Sequence, residues 1–220
     1  FTAFPVIKKA INLRVRIKVC GMTRGEDVEA AARLGVDAVG LVFYPKSPRH
    51  VSIAQAQDLV ARLPAFVTVT GLFLDPSRDE VLSILDVVRV DLLQFHGSET
   101  PEFCRGFNRR YIKAVPMGSQ VDIADYAHRY ADAAALLLDS HASGQKGGTG
   151  VTFEWSRVPQ FSGPPLILAG GLKPGNVAAA INSIHPYGVD VSSGVESAPG
   201  IKDARRMAEF IAEVNSVPNL

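Results

Sequence analysis

The chain has 220 residues, 47% hydrophobic and 20% charged, enough to bury one substantial core and too apolar for a disordered or low-complexity segment. Its 23 basic and 22 acidic side chains cancel to a formal net charge of +1 with no block of one sign, which argues against broad nucleic-acid or polyanion binding. No apolar run approaches the roughly 18 residues that span a bilayer, and two distant cysteines without metal-ligand spacing predict neither a disulfide scaffold nor a zinc site, so a cytoplasmic protein without metal is expected.

Residues 1–13 fit no later pattern and lack a signal-peptide core; they read as an N-terminal extension, with 14–220 as one domain. Apolar, β-rich runs then recur: VRIKVC (15–20), DAVGLVF (37–43), FVTVTGLFL (66–74), DLLQF (91–95), YIKAV (111–115), AALLLD (134–139), PLILAG (165–170) and GVDVSS (188–193). Helical patterns lie between them. Thr23 precedes RGEDVEAAARLG, Ser52 opens IAQAQDLVARL, Asp75 and Pro76 open SRDEVLSILDVV, and Thr100 with Pro101 begins a short helix. VDIADYAHRYA, GNVAAAINSI after Lys173 and Pro174, and KDARRMAEFIAEV follow. The sixth unit departs from the pattern, because HASGQKGGTGVTFEWSRVPQFSG offers loop signals and only a short helix.

Near-continuous apolar strands are buried on both faces, the mark of a parallel sheet, and each parallel connection needs a crossover. Eight such units spaced at roughly 20 to 30 residues favour a single closed (β/α)8 TIM barrel over an open doubly wound sheet. The absence of GxGxxG after the first strand agrees.

Active groups of such barrels sit at the carboxyl ends of the strands. That position singles out Cys20, Gln94, His96, Asp139, the Gly170–Gly171 pair, and Asp190 with Ser192, Ser193 and Gly194. Alternation along the first strand turns Val15, Ile17 and Val19 toward the helices and Arg16, Lys18 and Cys20 into the barrel. A buried Lys18 requires a carboxylate, and Asp190 on the adjoining eighth strand is the predicted partner. That cation favours a Cys20 thiolate able to accept a proton; the alternative is a small buried hydrophobe. Cys104 reads as such a hydrophobe.

Asp139 is either a general acid, its pKa raised by partial burial, or a cap for the next segment. Cys20 and Asp139 are expected to face each other across the barrel mouth. Two glycine-containing loops, LAGGLKPGN and VSSGVES, follow strands 7 and 8, where barrels commonly bind phosphate through backbone N–H groups. QKGGTG is a lid over that site or simply a flexible loop. Arg49 in YPKSPRHVS either clamps a substrate carboxylate or is a solvated surface residue. His96 either orients substrate or caps the fourth helix, and Trp155 reads as packing.

KVCGMTR, DAVGLVFYPKSPRHVS, LLQFHGSE, LLLDS, GGTGVTFEW, LAGGLKPGNV and GVDVSSGVESAPGIKD, in this order, resemble the successive motifs of the phosphoribosylanthranilate isomerase family of tryptophan biosynthesis. The resemblance runs from about residue 14 to the last helix. It implies a cofactor-free Amadori rearrangement of N-(5-phosphoribosyl)anthranilate to 1-(o-carboxyphenylamino)-1-deoxyribulose 5-phosphate. It also implies Cys20 as general base, Asp139 as general acid, Arg49 on the anthranilate carboxylate, and phosphate on the glycine and serine loops. Gln94, His96 and Asp190 complete the expected substrate-facing set. Phe95 departs from the family pattern, which more often has leucine there.

A phosphoribosyl small molecule is therefore the expected partner, with no nucleic acid or membrane, and a monomer is expected with a homodimer as the alternative. A related histidine-pathway isomerase is disfavoured because its family has aspartates ending strands 1 and 5, where this chain has Cys20 and Val115. The other rivals are a catalytically silent phosphate-binding barrel and covalent chemistry at Cys20, with His96 as a conceivable spatial partner.

Overall fold

The structure is a computed structural model that describes residues 14–117, 121–140, 158 and 163–218. The N-terminal extension, the QKGGTG loop and Trp155 lie outside the described residues.

Eight parallel strands close on themselves in sequence order, β1 to β8, with β8 pairing back onto β1. The strands are β1 (Arg16–Cys20), β2 (Ala38–Val42), β3 (Thr68–Phe73), β4 (Leu92–Phe95), β5 (Arg110–Pro116), β6 (Ala135–Asp139), β7 (Leu166–Leu168) and β8 (Gly188–Val191). Helices α1 (Gly25–Arg33), α2 (Ile53–Ala61), α3 (Arg78–Leu85), α4 (Pro101–Arg105) and α5 (Ile123–Arg129) follow the first five strands. α6 (Val177–Ile184) follows β7, and α7 (Ala204–Ser216) closes the chain. None of the described helices is long and apolar enough to cross a membrane.

Helix starts follow local chemistry. Ser52 and Thr100 accept from the backbone N–H of Gln55 and Phe103, while Asp122 and Asp203 accept from two N–H groups each. Two expected starts shift. Ser77, not Asp75, caps α3, because Glu80 three residues on completes a capping box. Thr23 does not cap α1; its hydroxyl instead donates to the Gly200 carbonyl at 2.5 Å, and Arg24 stands at the cap position.

Side-chain alternation divides the core into two regions. Val19, Val39, Val69, Leu93, Val115, Leu136, Leu138, Leu168 and Val189 face the helices and belong to the main apolar cluster. Phe95 stands among them, with its ring 5.7 Å from Phe103 and 5.8 Å from Phe107, so the departure from leucine points away from the barrel interior. The interior is filled on the β5 to β7 wall by Ile112, Ala114, Ala135, Leu137, Ile167 and Ala169. The opposite wall carries Lys18 and Asp190, paired in register across β1 and β8. In the lower layers the β5 to β7 wall is thus apolar, whereas the wall of β1 and β8 carries an ion pair.

One element escaped the sequence patterns. After β8, a 3₁₀ turn (Ser193–Val195) leads into a small antiparallel hairpin of β9 (Glu196–Ala198) and β10 (Ile201–Lys202), turned by Gly200 at φ +81°. Two- and three-residue strands are too short to produce a periodic signal.

Candidate active site

At the carboxyl end of β1, Cys20 is buried opposite Gly40 of β2. A β-carbon at Gly40 would lie 2.6 Å from the Cys20 sulfur, so glycine there makes room for the thiol. One layer below, the expected pair is present: Lys18 Nζ lies 3.0 Å from Asp190 Oδ1, both side chains buried. Burial works against the Lys18 ammonium, but the charges of Asp190 and Cys20 hold its pKa above the ordinary lysine range.

The expectation of a thiolate does not hold for the resting protein. Burial pushes the Cys20 thiol up, and Lys18 and Lys202 offset this only in part while Asp190 adds to it. Two cations, each already shared with a carboxylate, do not outweigh the loss of water around the sulfur. Cys104, in α4, is pushed up to about 12 by burial. It packs in the main apolar cluster, as its sequence context suggested.

Asp139 ends β6 on the same inward phase as Ala135 and Leu137. Its Oδ2 lies 3.0 Å from His96 Nε2, and His96 Nδ1 lies 3.2 Å from Gln94 Nε2. Both ring nitrogens of His96 are therefore engaged by groups other than the Cys20 sulfur. Helix α4 is capped by Thr100, which removes the capping reading of His96. Gln94 has 0% exposure and sits behind His96 rather than at the opening. The loop bearing His96 is held from beneath: buried Lys113 Nζ donates to the carbonyls of Phe95 (3.3 Å) and Gly97 (2.6 Å) and pairs with Glu99 at 2.8 Å. Asp190 senses the charges of both Asp139 and His96 as well as that of Lys18, so these groups gather at one end of the barrel.

The loops after β7 and β8 also converge. Gly170 and Gly171 both adopt left-handed backbone, at φ +79° and +67°. A β-carbon on Gly170 would strike Ser140, and one on Gly194 would lie 1.9 Å from the Leu172 carbonyl, so the two loops pack backbone to backbone. Ser192 precedes the 3₁₀ turn that contains Ser193 and Gly194. Asn176 pins the first loop, accepting from the Lys173 N–H and donating to the Gly171 carbonyl.

The hairpin contributes two groups that sequence reading missed. Glu196 accepts from Arg49 Nε at 2.8 Å and Nη2 at 2.7 Å, so Arg49 is neither solvated nor loose. Lys202 Nζ donates to the same carboxylate at 2.7 Å and to the Cys20 carbonyl at 2.6 Å. Burial raises the Glu196 pKa, yet Arg49 and Lys202 together draw it below the ordinary carboxylate range. One buried ionic cluster thus ties the ends of β1, β2 and β8. The only sequence signal was a Glu and a Lys flanking the SAPGI turn, which surface turns also show. Among the described residues no group of three or more His, Cys, Asp and Glu is arranged to hold a metal ion.

Comparison with known proteins agrees with this architecture. The family model for N-(5'-phosphoribosyl)anthranilate isomerase matches residues 17–213. A protein of that name from Nitrosococcus oceani is 52% identical over 205 residues, covering 93% of this chain and all of the relative; one from Pseudomonas aeruginosa is 54% identical over 202 residues, covering 92% and 96%. The crystal structure of the Thermotoga maritima enzyme superposes with a TM-score of 0.84 at 37% identity, covering 91% of this chain and 98% of that one. Another enzyme of this name, solved in complex with reduced 1-(o-carboxyphenylamino)-1-deoxyribulose 5-phosphate, gives 0.78 at 36% identity over the same shares. Matched along nearly its whole length, the chain belongs to the N-(5'-phosphoribosyl)anthranilate isomerase family.

Proposed function

We propose that the chain performs the isomerisation for which its family is named, by general acid–base catalysis between Asp139 and Cys20. The reaction converts N-(5-phosphoribosyl)anthranilate to 1-(o-carboxyphenylamino)-1-deoxyribulose 5-phosphate in tryptophan biosynthesis. The support is that the inward-facing last residues of β1 and β6 end at one mouth, linked electrostatically through Asp190.

Asp139 protonates the furanose ring oxygen, the C1–O bond breaks, and the anilino nitrogen lone pair forms the iminium. The iminium withdraws electrons from C2 and acidifies its proton. Cys20, as thiolate, removes that proton and leaves an enolamine, which gains a proton at C1 as the C2 hydroxyl loses one. One acid and one base complete the sequence, so the chemistry requires neither cofactor nor metal. With the resting thiol pushed up, only the thiolate fraction of the enzyme is active.

The phosphate is received by backbone N–H groups of Gly170, Gly171, Ser193 and Gly194 and by the Ser192 hydroxyl, the position barrels use after strands 7 and 8. Arg49 meets the anthranilate carboxylate: Glu196 occupies its Nε and Nη2, which leaves the Nη1 edge for a second carboxylate. The chain is proposed to act as a cytoplasmic monomer, with a homodimer as the alternative. A relative from Thermotoga maritima is described as dimeric.

Cys20→Ala and Asp139→Asn test this reading, followed by the loss of substrate fluorescence on turnover. Each should lower kcat by about 10²-fold or more with the fold intact. Near-wild-type kcat in either variant removes that residue from its role.

A further inference from the structure

We propose that Gln94 is a positioning residue whose side-chain amide turns to match the protons held by the His96–Asp139 pair, presenting Nε2 to His96 when the pair is proton-poor and Oε1 when the pair carries the proton used in catalysis. This rests on Asp139 being the acid and concerns how its proton is accommodated.

Gln94 is wholly enclosed in the barrel, with Nε2 3.2 Å from His96 Nδ1, and His96 Nε2 is 3.0 Å from Asp139 Oδ2. The other end of the amide, Oε1, is buried with no hydrogen-bond partner among the described residues. Such an acceptor costs free energy, and folded proteins keep few of them. An amide donating to Nδ1 requires Nδ1 to accept, so the ring hydrogen lies on Nε2 and is donated to the Asp139 carboxylate. That is the proton-poor state.

When one proton is added, protonation of the carboxyl on Oδ1 leaves the ring unchanged, whereas two distributions engage it: an imidazolium beside a carboxylate, or a neutral ring accepting from Oδ2–H. Nδ1 carries a hydrogen in both. It then opposes the Gln94 NH₂, donor against donor, until the amide makes a half turn and offers Oε1. The oxygen without a partner is thereby the acceptor for the state in which Asp139 serves as an acid. Glutamine provides a donor and an acceptor in one planar group, so it fits both states without moving the backbone.

Among the described residues, Asp190 on β8 interacts electrostatically with both members of the pair; it is itself paired with Lys18 on β1 and acts on Cys20 at the end of β1. Behind the His96 loop lie Lys113 on β5 and Glu99, and Asp75 accepts from the Ser98 N–H. Substitution at position 94 leaves all of them in place.

The test is the pH at which the pair takes up its proton, followed through the His96 ¹⁵N resonances in the wild type, Gln94→Met and Gln94→Glu. Methionine neither donates to Nδ1 nor accepts from it, so it withdraws support from both states and uptake should stay close to the wild-type pH; glutamate accepts and adds negative charge, so uptake should move up by about one unit or more. In the wild type, Nδ1 should pass from a pyridine-like to a pyrrole-like shift across the transition. A Gln94→Glu transition that stays fixed or moves down overturns the proposal, as does a Gln94→Met transition displaced by about a unit or more, or a wild-type Nδ1 that keeps its pyridine-like shift. A packing role for Gln94 would lower stability or kcat without the upward displacement in Gln94→Glu. If Gln94→Met does not fold, Gln94→Glu and the wild-type spectrum still decide. An active Asp139→Asn enzyme would remove the acid itself, whereas an inactive one with an unmoved Gln94→Glu transition removes only the part given to Gln94.

Discussion

Replacing Glu196 by glutamine keeps the shape of the side chain and deletes its charge, leaving two cations facing each other. Lys202 has 0% side-chain exposure and Arg49 12%, so water cannot solvate the orphaned charges. Removing one partner of a buried pair costs about 3–5 kcal/mol; the partial water access of Arg49 puts this site near the lower end, at about 3 kcal/mol. For a chain of this size that corresponds to a fall in Tm of roughly 6–12 °C. Urea unfolding at several pH values would measure it. Because the Glu196 carboxyl is held below its ordinary range, its contribution is fully present above the unfolded value of about 4.3 and is lost as pH falls through the lower folded value, so the gap between wild type and variant should close in acid. Adding Lys202→Met should recover much of the loss, since it removes the buried charge left behind. A gap below about 1 kcal/mol at neutral pH, or one that persists undiminished in acid, would refute the reasoning.

Arg49→Ala should raise KM with little change in kcat, because it removes binding to a part of the substrate remote from the reacting carbons; an unchanged KM counts against the clamp. Gly40→Ala brings a methyl group within 2.6 Å of the Cys20 sulfur and 3.1 Å of its α-carbon, so kcat should fall while the circular dichroism spectrum is retained. In a Cys104→Ser background, the rate of iodoacetamide labelling should show Cys20 ionising above the ordinary thiol value of about 8.5, and Lys18→Met should move that ionisation higher still. The fold favours the protonated thiol, so the corresponding stability is fully present below that ordinary value and declines as pH rises through the folded one. Labelling that titrates at or below the free-thiol value would contradict the dominance of burial.

Much of the fold was legible in the sequence because its signals are local and repeated. Eight apolar runs bounded by caps and turns specify βα units, and parallel strands linked by crossovers admit few closures. Alternation alone placed Lys18 and Asp190 inside the barrel, and adjacency of the first and last strands paired them. The order of the motifs, from KVCGMTR to SSGVES, carried the family. What remained hidden depends on distances between elements far apart in the chain. The thiol–thiolate balance of Cys20 is a contest between burial and two cations, and only packing sets the extent of each. The Glu196–Lys202 hairpin has too few residues for periodicity and acquires meaning only where it meets Arg49 and the Cys20 carbonyl. The partnership of Gln94, His96 and Asp139 joins β4 to β6, which sequence spacing cannot express. Sequence determines which groups face inward, since that follows from a period of two along each strand; tertiary structure decides which of them meet and what charge they carry, since both depend on how closely separate strands exclude water.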